Sequence, residues 1–192
     1  MNPSKTENLI VLRKMAQADL VALEALDRYC FEDPWPEGSF AAELQKGEES
    51  LCLVAEAQDQ SGSSLAGLAV FWLIADEAHL GTIAVHPDRQ RQGIAKALLL
   101  AGLNLAYAKG ARSSLLELRA GNLAALQLYT SLGYEIVGWR KGYYSAGRED
   151  ALLMTLPKIE PEGRHIFTPS RPISLNEPGF RVESSSGAAN VS

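Results

Sequence analysis

At 192 residues the chain has room for one domain and a short extension. A net charge of −5 leaves no excess of cations to displace counterions, which excludes general affinity for nucleic acid. No apolar run approaches membrane-spanning length and Met1 to Asn8 is too polar for a signal peptide, so a soluble cytoplasmic protein without a membrane partner is expected.

Leu9 to Leu12 reads as a first strand. Asp19 to Tyr29 carries Leu20, Leu23 and Leu26 at helical spacing, and Asp33-Pro34-Trp35-Pro36 cannot continue that helix. A second short helix covers Ser39 to Gln45, with Phe40 and Leu44 on one face. Leu51 to Ala57 and Leu65 to Ile74 form a hairpin about a turn from Asp59 to Ser64. Cys30 and Cys52 lack metal-ligand spacing and sit in apolar surroundings, the pattern of buried free thiols in a reducing compartment.

After a turn at Asp76-Glu77, Ala78 to Val85 returns as a strand and stops at Pro87. A cationic turn follows, with Arg89, Gln90, Arg91, Gln92 and Gly93, and then an apolar helix from Ile94 to about Ala108. Strand, basic glycine-bearing turn and helix gather free backbone N–H groups and a helix dipole around an anion. Gly93 removes the side chain that would hold the backbone off a phosphate, so a pyrophosphate ligand is expected. Neither a Walker loop nor the Gly-x-Gly-x-x-Gly dinucleotide fingerprint is present, and an ordinary turn with solvated arginines is the alternative. His79, His86 and His165 are scattered and suggest no metal site, with His86 read as a solvent-facing turn residue.

Leu115 to Arg119 is the next strand. Alternation puts Leu116 and Leu118 on one face and Leu115, Glu117 and Arg119 on the other. A carboxylate in an apolar strand is paired or functional, and Arg119 is its same-face candidate partner. Gly121-Asn122 opens a helix to Leu132, with Asn122 as N-cap and Tyr129 two turns later on the same face. Tyr129 is either a core tyrosine with a satisfied hydroxyl or a group that meets a ligand. Gly133 ends the helix, and Tyr134 to Arg140 and Asp150 to Thr155 close the domain. Trp35, Tyr143 and Tyr144 fall in irregular segments. Five of the nine prolines lie from Pro157 onward without apolar periodicity, so residues 158–192 are expected to be a disordered tail, with a docking segment as the alternative. This order of elements predicts an α/β (α+β) domain over residues 1–157, its central sheet mixed and mostly antiparallel.

The run Gln90-x-x-Gly93-x-Ala95 resembles the acyl-CoA signature of GNAT N-acetyltransferases. Taken with Asp76-Glu77-Ala78, Ile83-Ala84-Val85, Leu116 to Arg119, Asn122, Leu128-Tyr129, Leu132-Gly133-Tyr134, Tyr143-Tyr144 and Arg148 to Ala151, the chain resembles the bacterial RimI-type branch of that family over about residues 8 to 157. The resemblance implies a single GNAT domain with strands splayed at the acyl-CoA site, acetyl-CoA as co-substrate and no metal. It assigns acetyl-CoA contacts to Ile83, Ala84, Val85, Arg91, Gln92, Gly93, Ile94, Ala95, Lys96 and Asn122. Glu117 becomes the general base and Tyr129 the general acid, and the loops holding Trp35, Tyr143 and Tyr144 flank a peptide groove. The implied acceptor is the N-terminal alanine of a ribosomal protein. The same fold acting on lysine side chains, other protein N-termini or a small amine is one rival. A non-catalytic acyl-CoA-binding regulator is another, disfavoured by the presence of Glu117 and Tyr129. Ala95 stands where glycine is frequent in the family, Gly121 where serine is, and the tail after Lys158 has no counterpart there.

Overall fold

A computed structural model describes residues 9–59, 62–144, 147–160 and, as backbone, 180–182. The expected disordered tail at 158–192 falls mainly outside them. Strands β1 (Leu9–Lys14), β2 (Ser50–Asp59), β3 (Gly62–Ile74) and β4 (Glu77–Val85) form an antiparallel meander. Helices α1 (Leu20–Cys30) and α2 (Ser39–Gln45) lie between the first two strands, and α3 (Ile94–Ala108) follows β4. Then come β5 (Ser113–Arg119), α4 (Leu123–Ser131), β6 (Glu135–Tyr144), β7 (Glu149–Leu156) and a short β8 (Phe180–Val182). The strand order is β6-β7-β5-β4-β3-β2-β1-β8, with β4·β5 and β1·β8 parallel and the other pairs antiparallel. The expected mixed, mostly antiparallel sheet is therefore present.

Helix α3 is apolar almost all round because the main core closes over it: Ile94, Leu98, Leu99 and Leu103 are fully buried against the sheet. Gly102 sits so near Phe71 that a Cβ there would lie 2.1 Å from the ring. On the other face, α1 and α2 bury Leu23, Leu26 and Phe40 over Val54, Leu68 and Val70. Ile159 is buried in the main core and its N–H donates to the Arg112 carbonyl at 2.7 Å, so the packed domain reaches past residue 157.

One irregularity positions the site. Strand β4 pairs with β5 only from Glu77–Ser113 to Leu80–Leu116, and beyond that point the two strands part. Alternate amides of a strand face each neighbour, so some N–H groups between Gly81 and Val85 look into the opening instead of a ladder. The register of β4 on β3 also slips there, from Val70–Thr82 to Phe71–Leu80, leaving Gly81 as a bulge.

The strands run longer than the apolar pattern suggests. Most consequential is β6, which continues to Tyr144 across an irregularity at Gly142 (φ +60°), whose N–H donates to Asp150 Oδ1 at 2.8 Å. Tyr143 and Tyr144 are thus strand residues rather than part of an irregular segment.

Candidate active site

Two clefts meet where β4 and β5 separate. The first, of about 450 Å³, is walled by Phe31 to Asp33 and Trp35 after α1, by Gly81, Thr82 and Ile83, and by Glu117, Arg119 and Tyr144. The second, of about 480 Å³, is walled by Val85, the turn residues Gln90, Arg91 and Gly93, the start of α3 and one side of α4. Ile83, Asn122, Ala125 and Tyr129 line both, which makes them the boundary between the two spaces.

The second cleft has the chemistry of an anion site. Gly93 is the N-cap of α3 with φ +81°, and nothing lies within 4 Å of where its Cβ would sit. Arg91 holds φ +62°, a left-handed backbone that costs a non-glycine residue about 1–2 kcal/mol. Such strain persists where surrounding structure imposes it, commonly at ligand sites. The first-turn amides of α3 have no intrahelical acceptor and carry the positive end of the helix dipole. Asn122 caps α4 as expected, its Oδ1 accepting from the Ala125 N–H at 3.1 Å.

Two assigned contacts do not reach this cleft with their side chains. Ala84 is buried on the α1–α2 face, because alternation along β4 turns it away from Ile83. Gln92 turns back, and its Nε2 donates to the Asp88 carbonyl at 3.4 Å. Gln90 lines the cleft instead, with its Nε2 on the Val85 carbonyl at 3.2 Å. His86 sits at the turn, stacked on Tyr29 with ring centroids 5.5 Å apart.

Tyr129 and its neighbour Tyr134 divide the two readings of a buried tyrosine. Their rings pack 5.7 Å apart. Tyr134 is the satisfied one: its hydroxyl donates to Ser114 Oγ at 2.7 Å, and that Oγ donates to the Ala78 carbonyl. Tyr129 instead lines both clefts. Burial, reinforced by the Tyr134 and Tyr144 hydroxyls, pushes its pKa well above that of an ordinary tyrosine, so the phenol stays protonated.

Glu117 does not pair with Arg119. Its Oε1 meets Arg140 Nη1 of β6 at 2.9 Å, while Arg119 bonds Glu149 at 3.0 Å and Asp33 across the cleft. Strand β7 lies between β5 and β6, so the Glu117–Arg140 pair reaches across one intervening strand, about 10 Å between backbones, a span that two long side chains on one face of the sheet cover. The Arg119 guanidinium also lies 4.6 Å from the centre of the Tyr144 ring. Among the aromatics named from sequence, Trp35 and Tyr144 form cleft wall. Tyr143 stands outside it, edge-on to Tyr144 and beneath Arg140. Sequence reasoning missed Gly81 and the buried Asp27, whose Oδ2 accepts the Trp35 N–H at 2.6 Å and fixes that residue's backbone.

Residues 20–134 match the model of the acetyltransferase (GNAT) family. Over 148 residues the chain is 36% identical to the ribosomal protein bS18-alanine N-acetyltransferase of Escherichia coli (strain K12), covering 76% of this chain and 96% of that relative. The crystal structure of the ribosomal-protein-S18-alanine N-acetyltransferase from Escherichia coli matches with a TM-score of 0.70 at 34% identity, over 83% of this chain and 100% of the other. Arabidopsis thaliana NAA60 in complex with acetyl-CoA shares the fold, with a TM-score of 0.70 at 20% identity over 77% of this chain and 97% of its own.

Proposed function

The chain belongs to the acetyltransferase (GNAT) family, and from that premise we propose that it transfers the acetyl group of acetyl-CoA to the α-amine of a protein N-terminus, the alanine-led end of a small-subunit ribosomal protein. The observation that carries the reading is the junction of the two clefts at Tyr129, one cleft with an anion site and the other with a carboxylate. Identity to a bacterial enzyme named for that acceptor, across nearly its whole length, supports the choice of amine. Such an acceptor is met in the cytoplasm, and that is where the reading puts the enzyme.

The residues fit the ligand. Amides of the Arg91 to Lys96 turn and first helical turn suit the pyrophosphate, and the open space at Gly93 leaves room for it. Ile83, Val85, Ala125 and Asn122 border the channel that leads inward. Acetyl-CoA supplies a thioester, whose C–S bond breaks as the amine nitrogen bonds to the acetyl carbon. Free N–H groups of β4 near the Gly81 bulge stabilise negative charge developing on the acetyl oxygen. Glu117, directly or through a water, takes the proton lost by the amine, and the protonated Tyr129 hydroxyl gives one to the departing sulfur. No covalent bond to the protein is required.

An α-amine has a pKa of about 7.7–8.0 against about 10.4 for lysine, so roughly 10–15% of it is already neutral at pH 7. A small first side chain lets that amine reach the thioester past Trp35 and Tyr144. An alanine-led peptide is therefore expected to react at its α-nitrogen at least tenfold faster than a phenylalanine-led one, by roughly the margin that a steric misfit of 1–3 kcal/mol gives. Mass spectrometry of the products, with an N-terminally blocked lysine peptide alongside, checks this. Equal rates on the two free peptides would remove the steric argument. Reaction at lysine alone would move the enzyme to the lysine-directed rival.

A further inference from the structure

The acceptor cleft is bounded on its sheet side by the Gly81 bulge and on its loop side by Trp35, and one residue outside the cleft touches both. The Trp72 indole lies against Gly81 so closely that a Cβ there would fall 2.8–3.1 Å from three of its ring atoms. Gly81 is not in a left-handed conformation, so its want of a side chain is a matter of space. The same indole stacks on Trp35 with centroids 6.1 Å apart and planes at 10°, and Phe40 packs on Trp35 at 5.1 Å. The ring is anchored by its own N–H, which donates to Glu43 Oε2 at 3.0 Å. Glu43 is buried and further held by Ser50 Oγ at 2.8 Å and Lys46 Nζ at 2.7 Å.

We propose that Trp72, clamped by Glu43, is a positioning residue that sets the width of the acceptor cleft by bearing on the Gly81 bulge and on Trp35 together. The inference rests on the reading that this cleft takes the amine. Gly81 and Trp35, on which Trp72 bears, both line the first cleft and neither lines the second, so its influence on binding falls on the amine and spares acetyl-CoA. The absent Cβ at residue 81 and the large ring at residue 72 form a matched pair: space withheld at one is filled by the other.

The test is a double-mutant cycle on steady-state kinetics, with melting temperatures measured on the same preparations. Trp72→Phe shortens the ring and removes the donor to Glu43, and Gly81→Ala forces the indole aside. Each is expected to raise the acceptor KM about tenfold with acetyl-CoA KM changed less than about twofold, the split that marks loss of binding on one side only. In the double variant the smaller ring leaves room for the new methyl, so the rise should stay near tenfold instead of the roughly hundredfold of independent effects. Should Trp72→Phe not fold, Glu43→Ala against Glu43→Gln serves in its place: the glutamine oxygen still accepts the indole N–H and should restore the acceptor KM that alanine impairs. Additive effects at residues 72 and 81, or lowered melting temperatures with an unaltered acceptor KM, overturn the proposal. The acceptor is whichever free-amine peptide the wild type turns over, alanine-led or lysine. A preference for lysine would thus remove the N-terminal reading while the coupling still decides this one.

Discussion

Replacing Glu117 by glutamine is expected to lower turnover by about 10²–10⁴, the usual contribution of a general base, with acetyl-CoA affinity nearly unchanged. The substitution keeps the side chain's length and its contact with Arg140 while removing its capacity to take a proton. Affinity should hold because Glu117 lines the first cleft and not the second. Tyr129→Phe should give a fall of the same order through the leaving group, since the ring stays packed on Tyr134 and only the hydroxyl is lost. Single-turnover rates with an alanine-led peptide, beside calorimetric titration of acetyl-CoA, separate chemistry from binding. Near-normal turnover in Glu117→Gln would make the carboxylate a mere partner of Arg140 and end its role as base.

The largest effect on binding is expected at Gly93. Valine there should weaken acetyl-CoA by about 100-fold or more, because losing even one or two charge-assisted amide bonds costs about 3 kcal/mol. The structure makes this substitution informative. Apart from its chain neighbours, no described residue lies within 4 Å of the added Cβ, which therefore enters the open space of the second cleft. Its left-handed φ adds local strain of about 1–2 kcal/mol, which a melting curve reports separately. Arg91→Ala should weaken binding less, and by an amount that shrinks as salt rises. Unchanged calorimetric affinity in Gly93→Val would sink the assignment of this turn to the pyrophosphate.

Much of the architecture is written in local pattern. The α3 helix, the Gly93 turn before it and the Asn122 cap depend on residues within a few positions of one another, and a spacing rule reads them directly. What escapes such reading is pairing across the sheet. Arg119 is the nearest cation to Glu117 in sequence, yet the register of β7 between β5 and β6 brings Arg140 to it. Tyr143 and Tyr144 are adjacent and alike, yet only Tyr144 lines the cleft. Gly81 gives no turn signal in its own strand; its purpose appears only when Trp72 of the neighbouring strand is seen above it. Asp27 sits on the buried side of α1, where a carboxylate is a poor guess until the Trp35 N–H that it accepts is known. The Glu117–Arg140 pair lies outside any window of a dozen residues, while Asp27 and Trp35, like Trp72 and Gly81, lie within one and still meet only through the path that the chain takes between them.

The parting of β4 from β5 is a doorway with two entrances. One opens on the α1–α2 side through the segment around Trp35, the other on the α3–α4 side through the Gly93 turn. Two reactants that come from opposite sides do not stand in each other's path. On the proposed reading neither must leave for the other to arrive, and CoA can withdraw while the acetylated chain is still in place. A free chain end can enter such a passage head-on, whereas an amine in mid-chain must bring two flanking stretches of backbone to the sill.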